Sequence, residues 1–145
     1  MVTGLTLHFK AYATWVGAGG SLCVCSSQQA SLSAIALSDW GGNAVTEYAT
    51  RIPIGSVSTS GWTNITLNAA AVAAATVGAG GKLMISLRMS QDVDGVPAPT
   101  GLFSGVGLDY SEMFGTADDP YITVDYTVPG YRSGRSIPQP YGVNG

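Results

Sequence analysis

The sequence predicts an all-β sandwich of antiparallel strands with one short alanine-rich helix and an extended C-terminal arm. Residues 5–13 and 121–128 alternate between apolar and polar side chains with a period of two, as amphipathic strands do. Residues 21–25 are apolar on both faces, which is typical of a strand that is central in a sheet or sealed by a neighbour. A chain of 145 residues fits one domain with a single core.

The composition favours a protein that is held in an assembly. Charged residues make up 10% of the chain and hydrophobic residues 46%, whereas about a quarter of an average protein is charged. The net charge is −3, and the basic residues are scattered apart from Arg132 and Arg135 in the arm, so we expect no nucleic-acid partner. No apolar run approaches the length of a membrane span, and the N-terminus lacks a signal peptide, so we expect no membrane partner.

The first strand is predicted to bury one face. Leu5, Leu7, Phe9, Ala11 and Ala13 form that face, and the intervening polar side chains, His8 among them, are expected to be exposed.

The second strand carries both cysteines. Cys23 and Cys25 are two residues apart on one face, a spacing that does not suit a disulfide within a strand. We therefore predict that both are reduced and buried. With one histidine in the whole chain, no metal centre is predicted around them.

A tryptophan follows in a turn-rich segment. Trp40 either closes one end of the sandwich or offers a platform on which the apolar face of a sugar stacks. Residues 47–54 are then predicted to form a strand, and Pro53 indicates that this strand lies at a sheet edge.

The middle of the chain predicts a strand, a helix and another strand. Residues 61–68 alternate, and Asn68 is a favourable N-cap for a helix over residues 69–76, which should connect the ends of two strands. Residues 82–90 form the next strand, whose inward side chains are Leu83, Ile85, Leu87 and Met89.

Residues 91–107 are predicted to be mainly a loop. Asp92 and Asp94 are similar to the opening of a calcium-binding loop, but the remaining ligands are missing at the required spacing. A solvated turn is therefore preferred to a calcium site. Residues 103–110 include a short candidate strand.

The segment from Ser111 to Val128 closes the domain. Pro120 ends a loop, and Ile122, Val124 and Tyr126 then point to one face of what we predict to be the last core strand. Asp119 is predicted to cap the turn before Pro120.

Residues 129–145 are rich in glycine and proline and show no period, so they are assigned to an arm outside the domain of residues 1–128. The arm's candidate contacts with a neighbouring subunit are Tyr131, Arg132, Arg135 and Tyr141.

The sequence contains no nucleophile elbow, P-loop or zinc-protease motif, and we predict that the chain is not an enzyme and needs no cofactor. Glu112, Asp118 and Asp119 could in principle form the carboxylate pair of a glycosidase. Aspartates in such a loop more commonly cap backbone turns, and that interpretation is preferred.

Four short motifs together resemble one known family. Residues 3–11 read TGLTLHFKA, residues 62–68 read WTNITLN, residues 81–88 read GKLMISLR, and the last motif runs from Ser111-Glu112 to the PYITVDYT strand. Their order resembles the DNRLRE-type modules, which are jelly-roll β-sandwiches similar to carbohydrate-binding domains. Such modules are found in bacterial surface proteins and tailed-phage virions. The resemblance implies an antiparallel jelly roll and an architectural role for Ser111 and Glu112.

These observations lead to three functional expectations. The leading one is a structural virion protein, a capsid decoration or tail component, that contacts other copies of itself and other virion proteins. The second is a carbohydrate-binding or adhesin module for cell-surface glycan, with Trp40, Trp15 or Tyr110 as sugar platforms and Asp92 and Asp94 as polar or calcium partners. The third is a subunit of an extracellular filament.

Overall fold

A computed structural model describes residues 1–27, 45–77, 83–97, 101–108 and 116–128. These residues form two antiparallel sheets with few helices, so the prediction of an all-β sandwich is confirmed. The winding of a jelly roll is a finer feature, and it stays a prediction.

The first sheet is organised around its longest strand. Strand β1 (Val2–Val16) pairs on one side with β4 (Trp62–Thr66). Its other side pairs with β7 (Tyr121–Tyr126) along its first half and with β6 (Ser104–Leu108) along its second half. All strand pairs in this sheet therefore involve β1.

The predicted alternation of β1 is correct up to Ala11. Leu5, Leu7, Phe9 and Ala11 are buried. A register shift between Ala11 and Ala13 then inserts Tyr12 as an extra residue opposite β6. Because a shift of one residue reverses the faces of a strand, the prediction that Ala13 shares the buried face is wrong.

The second sheet has β2 (Ser21–Ser26) at its centre, between β3 (Ile52–Pro53) and β5 (Ile85–Met89). Pro53 lies at the edge of the described sheet, as expected. The predicted strand over residues 47–54 is wrong in its extent, because regular pairing is limited to β3 and one bridge from Glu47 to Cys25. The segment ends in a 3-10 turn, Ile54–Ser56, which carries Ile54 into the interior.

The core lies between the two sheets. Phe9 of β1 is completely buried, and it belongs to one apolar cluster with Leu22 and Val24 of β2 and Ile65 of β4. Burial of such side chains is the main favourable contribution to folding, at about 25 cal/mol per Å² of apolar surface.

One helix carries the chain from the first sheet to the second. Helix α1 (Ala69–Val77) follows β4 and precedes β5. The Asn68 Oδ1 atom accepts hydrogen bonds from the backbone N–H groups of Ala70 and Ala71, at 3.0 and 3.2 Å. The predicted N-cap is confirmed.

The segment predicted as a long loop contains two short elements. A single helical turn, α2 (Ser90–Val93), follows β5, and β6 supports the expected short strand near residue 103. Strand β7 begins directly after Pro120, as predicted. Its role as a core strand is wrong for most of its length, since only Ile122 packs against the core while Tyr121 and residues 123–126 are exposed.

Candidate functional site

Three aromatic rings lie on the surface where β1 meets β6. The ring centroids of Trp15 and Phe103 are 5.6 Å apart, and those of Tyr12 and Trp15 are 6.5 Å apart, both in edge-to-face arrangements. Trp15 is 42% exposed and Phe103 65% exposed. We call this region, with its exposed apolar neighbours, the aromatic surface: Tyr12, Trp15, Val16, Val96, Leu102 and Phe103.

Glycines in β6 make room for these rings. A Cβ atom at Gly107 would lie 2.5 Å from the Tyr12 ring, and one at Gly105 would lie 3.2 Å from Phe103 and 3.8 Å from Trp15. The aromatic rings thus cover the backbone of a strand that has no side chains at these positions. The position of Trp15 therefore has a packing reason, although much of the ring stays accessible.

A pocket of about 360 Å³ adjoins the aromatic surface. Its apolar walls include Met89, Leu102 and Phe103, and its polar groups include Gln91 and Asp92. This combination could hold a small apolar group and bind a polar substituent at the rim. Phe103 connects this pocket to Trp15, since it lines the pocket together with Asp92 and its ring centroid is 5.6 Å from that of Trp15. The sequence suggested Trp15 and Asp92 for the same glycan site.

The two aspartates suggested as calcium candidates form hydrogen bonds with arginines. Asp92 accepts a hydrogen bond from Arg88 Nε at 2.6 Å, and both carboxylate oxygens of Asp94 accept from Arg51 at 2.7 Å. Arg51 also binds Glu47, and its hydrogen bonds lower the pKa values of Asp94 and Glu47. Within the described ranges, no group of three or more His, Cys, Asp or Glu residues is placed to hold a metal ion.

A second cluster lies on the outer face of the first sheet. The ring of His8 stacks on Tyr121 with centroids 4.3 Å apart, and Trp62 contacts Tyr121 edge-on at 5.2 Å. Lys10 lies 5.2 Å from the centre of the Trp62 ring and forms an ion pair with Asp118. Sequence reasoning missed Trp62 and Tyr121, because only the pairing of β4 and β7 with β1 brings them together.

Both nitrogens of the His8 ring are engaged in this cluster. Nδ1 is 2.8 Å from Asn64 Oδ1 and Nε2 is 2.9 Å from Thr123 Oγ1. These contacts connect β1 to β4 and to β7, so the histidine stabilises the pairing of three strands on the outer face.

A third region consists of apolar side chains on and beside β7. Tyr126 is 67% exposed and Val124 46% exposed, although Val124 pairs with the buried Leu5. We call these exposed apolar side chains on the core-facing side of β7 the β7 surface: Val124 and Tyr126.

The remaining sequence-predicted positions divide into two groups. Pro120 lies before β7 as expected, whereas Asp119 Oδ1 is buried and accepts no hydrogen bond, so that oxygen does not form the predicted cap. The other candidates lie outside the described residues: Trp40, Tyr110, Ser111, Glu112, Tyr131, Arg132, Arg135 and Tyr141.

The two cysteines are free and completely buried, as predicted. Burial raises the pKa of Cys23, and it raises the pKa of Cys25 to about 11. Both thiols are therefore protonated and shielded in the folded chain, which fits a packing role.

No family model, curated protein or solved structure matches the chain. The resemblance to DNRLRE-type modules is therefore carried by the sequence motifs alone. Among the described helices, none is long and apolar enough to cross a membrane.

Proposed function

We propose that the chain is a non-enzymatic structural protein of a virion, a capsid decoration or tail component, that acts through contacts between subunits. One observation carries the proposal: large apolar side chains lie exposed together, with Trp15 in edge-to-face contact with Tyr12 and Phe103 on the aromatic surface, and with Val124 and Tyr126 on the β7 surface. Apolar groups that are gathered into patches favour protein contacts, whereas single exposed ones are ordinary.

The composition supports the same proposal. Only 10% of the residues are charged, so little charge is available to keep these patches apart in solution. The choice of a virion among possible assemblies rests on the sequence resemblance. A structural role for His8 is supported by its contacts with Asn64 and Thr123, which link β1 to the strands on both sides.

Labelling of particles tests the proposed location. Antibodies raised against the purified chain would be applied to the virus-sized particles and to the cells of a culture that expresses it, and both would be imaged by electron microscopy. Regular labelling of phage-like particles is the expected result. Label confined to the cell envelope or to filaments would overturn the proposal and favour an adhesin or a filament subunit.

A specific observation also favours the carbohydrate-binding alternative. The exposed Trp15 ring lies beside Phe103, which lines the pocket that also holds Gln91 and Asp92, and sugar sites combine an apolar ring with polar groups in this way. A glycan array decides this point. Binding by the native chain that is lost in Trp15→Ala, while Tyr126→Ala still binds, would support the alternative, and a blank array for the native chain would remove it.

A further inference from the structure

We infer that β7 pairs with β7 of a second copy, around a two-fold axis at Val124, so that the first sheet continues across a dimer. This inference deepens the proposed function, because it names one of the subunit contacts and its register.

The backbone groups of β7 that face away from β1 follow from the hydrogen bonds on the other side of β1. The Leu67 N–H donates to the Leu5 carbonyl at 2.9 Å, so Leu5 directs its backbone groups toward β4. By alternation, Thr6 and His8 direct theirs toward their partners in β7, Thr123 and Tyr121. The intervening residues of β7 therefore turn their N–H and C=O groups outward: Ile122, Val124 and Tyr126.

The same three residues carry the apolar side chains on the core-facing side of the strand, whereas Tyr121 lies against His8 on the outer face. Val124 and Ile122 pair with Leu5 and Leu7 and so lie on the core-facing side of the sheet, and Tyr126 pairs with Val2. In the described part of the chain, β7 pairs with β1 alone. The strand thus presents unpaired backbone groups and exposed apolar side chains together, which is the combination that an added strand covers.

The strand is complementary to itself in one register. With the axis at Val124, Val124 faces Val124 of the second copy, and Ile122 faces Tyr126 of the second copy, which gives three hydrogen-bonded pairs of apolar residues. On the outer face, Thr123 then lies opposite Asp125 of the second copy. No like charges oppose one another.

Neighbouring registers are less favourable. An axis at Asp125 would place the two Asp125 carboxylates directly opposite each other, and such like-charge pairs destabilise a sheet. An axis at Thr123 would place Pro120 opposite Tyr126 of the second copy, where proline lacks the required N–H. The sequence of β7 therefore selects the register centred on Val124.

Asp125 is the one charged residue of β7, and its position does not prevent another strand from pairing with the free edge of β7. A Cβ atom at Gly4 would lie 2.8 Å from Asp125 Oδ2, so the carboxylate leans over β1 and away from the free side of β7. Edge strands commonly avoid pairing by pointing charges across the edge. This strand lacks that protection.

Cross-linking of the full-length chain tests the register. In Val124→Cys the two new thiols would face each other across the axis, whereas Cys23 and Cys25 are completely buried and do not compete. A short thiol-to-thiol cross-linker, a bismaleimide, should convert most of this variant to a covalent dimer. The control Ser60→Cys, at an exposed position outside β7, should stay largely monomeric on a non-reducing gel. Equal cross-linking of the two variants would overturn the inference.

Light scattering after size exclusion gives an independent test. The wild-type chain should have twice the monomer mass of 14.8 kDa. Val124→Pro removes an N–H that the second copy needs but that β1 does not use, so this variant should be monomeric with an unchanged far-UV spectrum. Thr123→Pro removes an N–H bonded to β1 and should instead lower the thermal midpoint. A wild-type monomer at all concentrations, or a Val124→Pro dimer, would overturn the inference.

These results are separate from those of particle labelling. A dimer with this register whose antibodies do not label virions would leave the inference standing and remove the proposed function. If virions are labelled but the chains neither dimerise nor cross-link at Val124, the proposed function stands and the inference is overturned.

Discussion

Replacement of Asn68 should measure how strongly helix α1 is fixed between the two sheets. Its Oδ1 atom accepts hydrogen bonds from the N–H groups of Ala70 and Ala71, while its Nδ2 donates to the Glu47 carbonyl at 2.8 Å. One side chain therefore caps the helix and also holds the segment that leads into β3.

The two roles can be assigned separate magnitudes. Loss of an N-cap costs about 1 kcal/mol, and loss of a hydrogen bond to a backbone carbonyl costs about 1 kcal/mol more. Asn68→Ala should therefore lower the free energy of unfolding by about 2 kcal/mol. Asn68→Asp keeps the capping oxygen and places a negative charge at the helix N-terminus, so it should cost about 1 kcal/mol or less.

Urea unfolding followed by far-UV circular dichroism gives these values by linear extrapolation. All variants should be compared at one protein concentration, because association of subunits contributes to the apparent stability. Ser60→Ala, an exposed position, serves as the control and should change stability by less than about 0.5 kcal/mol. Asn68→Asp losing as much stability as Asn68→Ala would refute the assigned capping role.

Three further predictions concern other parts of the fold. Because burial raises the pKa of Cys25 to about 11, the native chain should be inert to a thiol reagent at pH 8 and should react at both cysteines in urea; rapid native labelling would contradict the structure. The hydrogen bonds from Arg51 lower the pKa of Asp94 below its ordinary 3.8. The ion pair therefore stabilises the fold above pH 3.8, and this stabilisation is lost as the pH falls through the lowered pKa of Asp94. Asp94→Asn should therefore lose stability relative to wild type at pH 7, and urea titrations at pH 3 should show a smaller difference, whereas an equal difference at both pH values would show that the charge is not responsible. Gly107→Ala should lower stability by about 1 kcal/mol because the new methyl group displaces the Tyr12 ring, and a double-mutant cycle with Tyr12→Ala should show a smaller loss.

Local patterns predicted the elements whose chemistry is local. Asn68 has the side chain that a helix N-terminus needs, and Pro120 lacks the N–H that a strand interior uses, so both positions could be assigned from the sequence. The alternation of β1 likewise identified Leu5, Leu7 and Phe9 as core residues.

Features that depend on strand pairing could not be predicted in this way. In the sequence, Ala11 and Ala13 continue the alternation of β1. The bulge at Tyr12 arises only when β6 pairs with this part of the strand. The alternation of β7 predicts which side chains share a face, but it does not determine whether a second layer covers Val124 and Tyr126. For the same reason, Trp62 and Tyr121 did not stand out as a cluster before their strands were placed.

The position of β1 at the centre of its sheet has a consequence during synthesis. Strand β1 leaves the ribosome before the strands that pair with it, and β4 can pair with it once Thr66 has emerged. Strand β6 ends at Leu108, and β7 ends at Tyr126, 60 residues after Thr66. At roughly 5–20 residues per second, that interval lasts about 3 to 12 s. Until β6 has emerged, the whole of the side of β1 that later binds β6 and β7 is unpaired, and its first half stays unpaired until β7 has emerged as well. Such an open edge invites association between nascent chains. Ribosome-bound chains arrested near residue 100 should accordingly be digested by protease within the first sheet, and protection there before β7 has emerged would contradict this order of events.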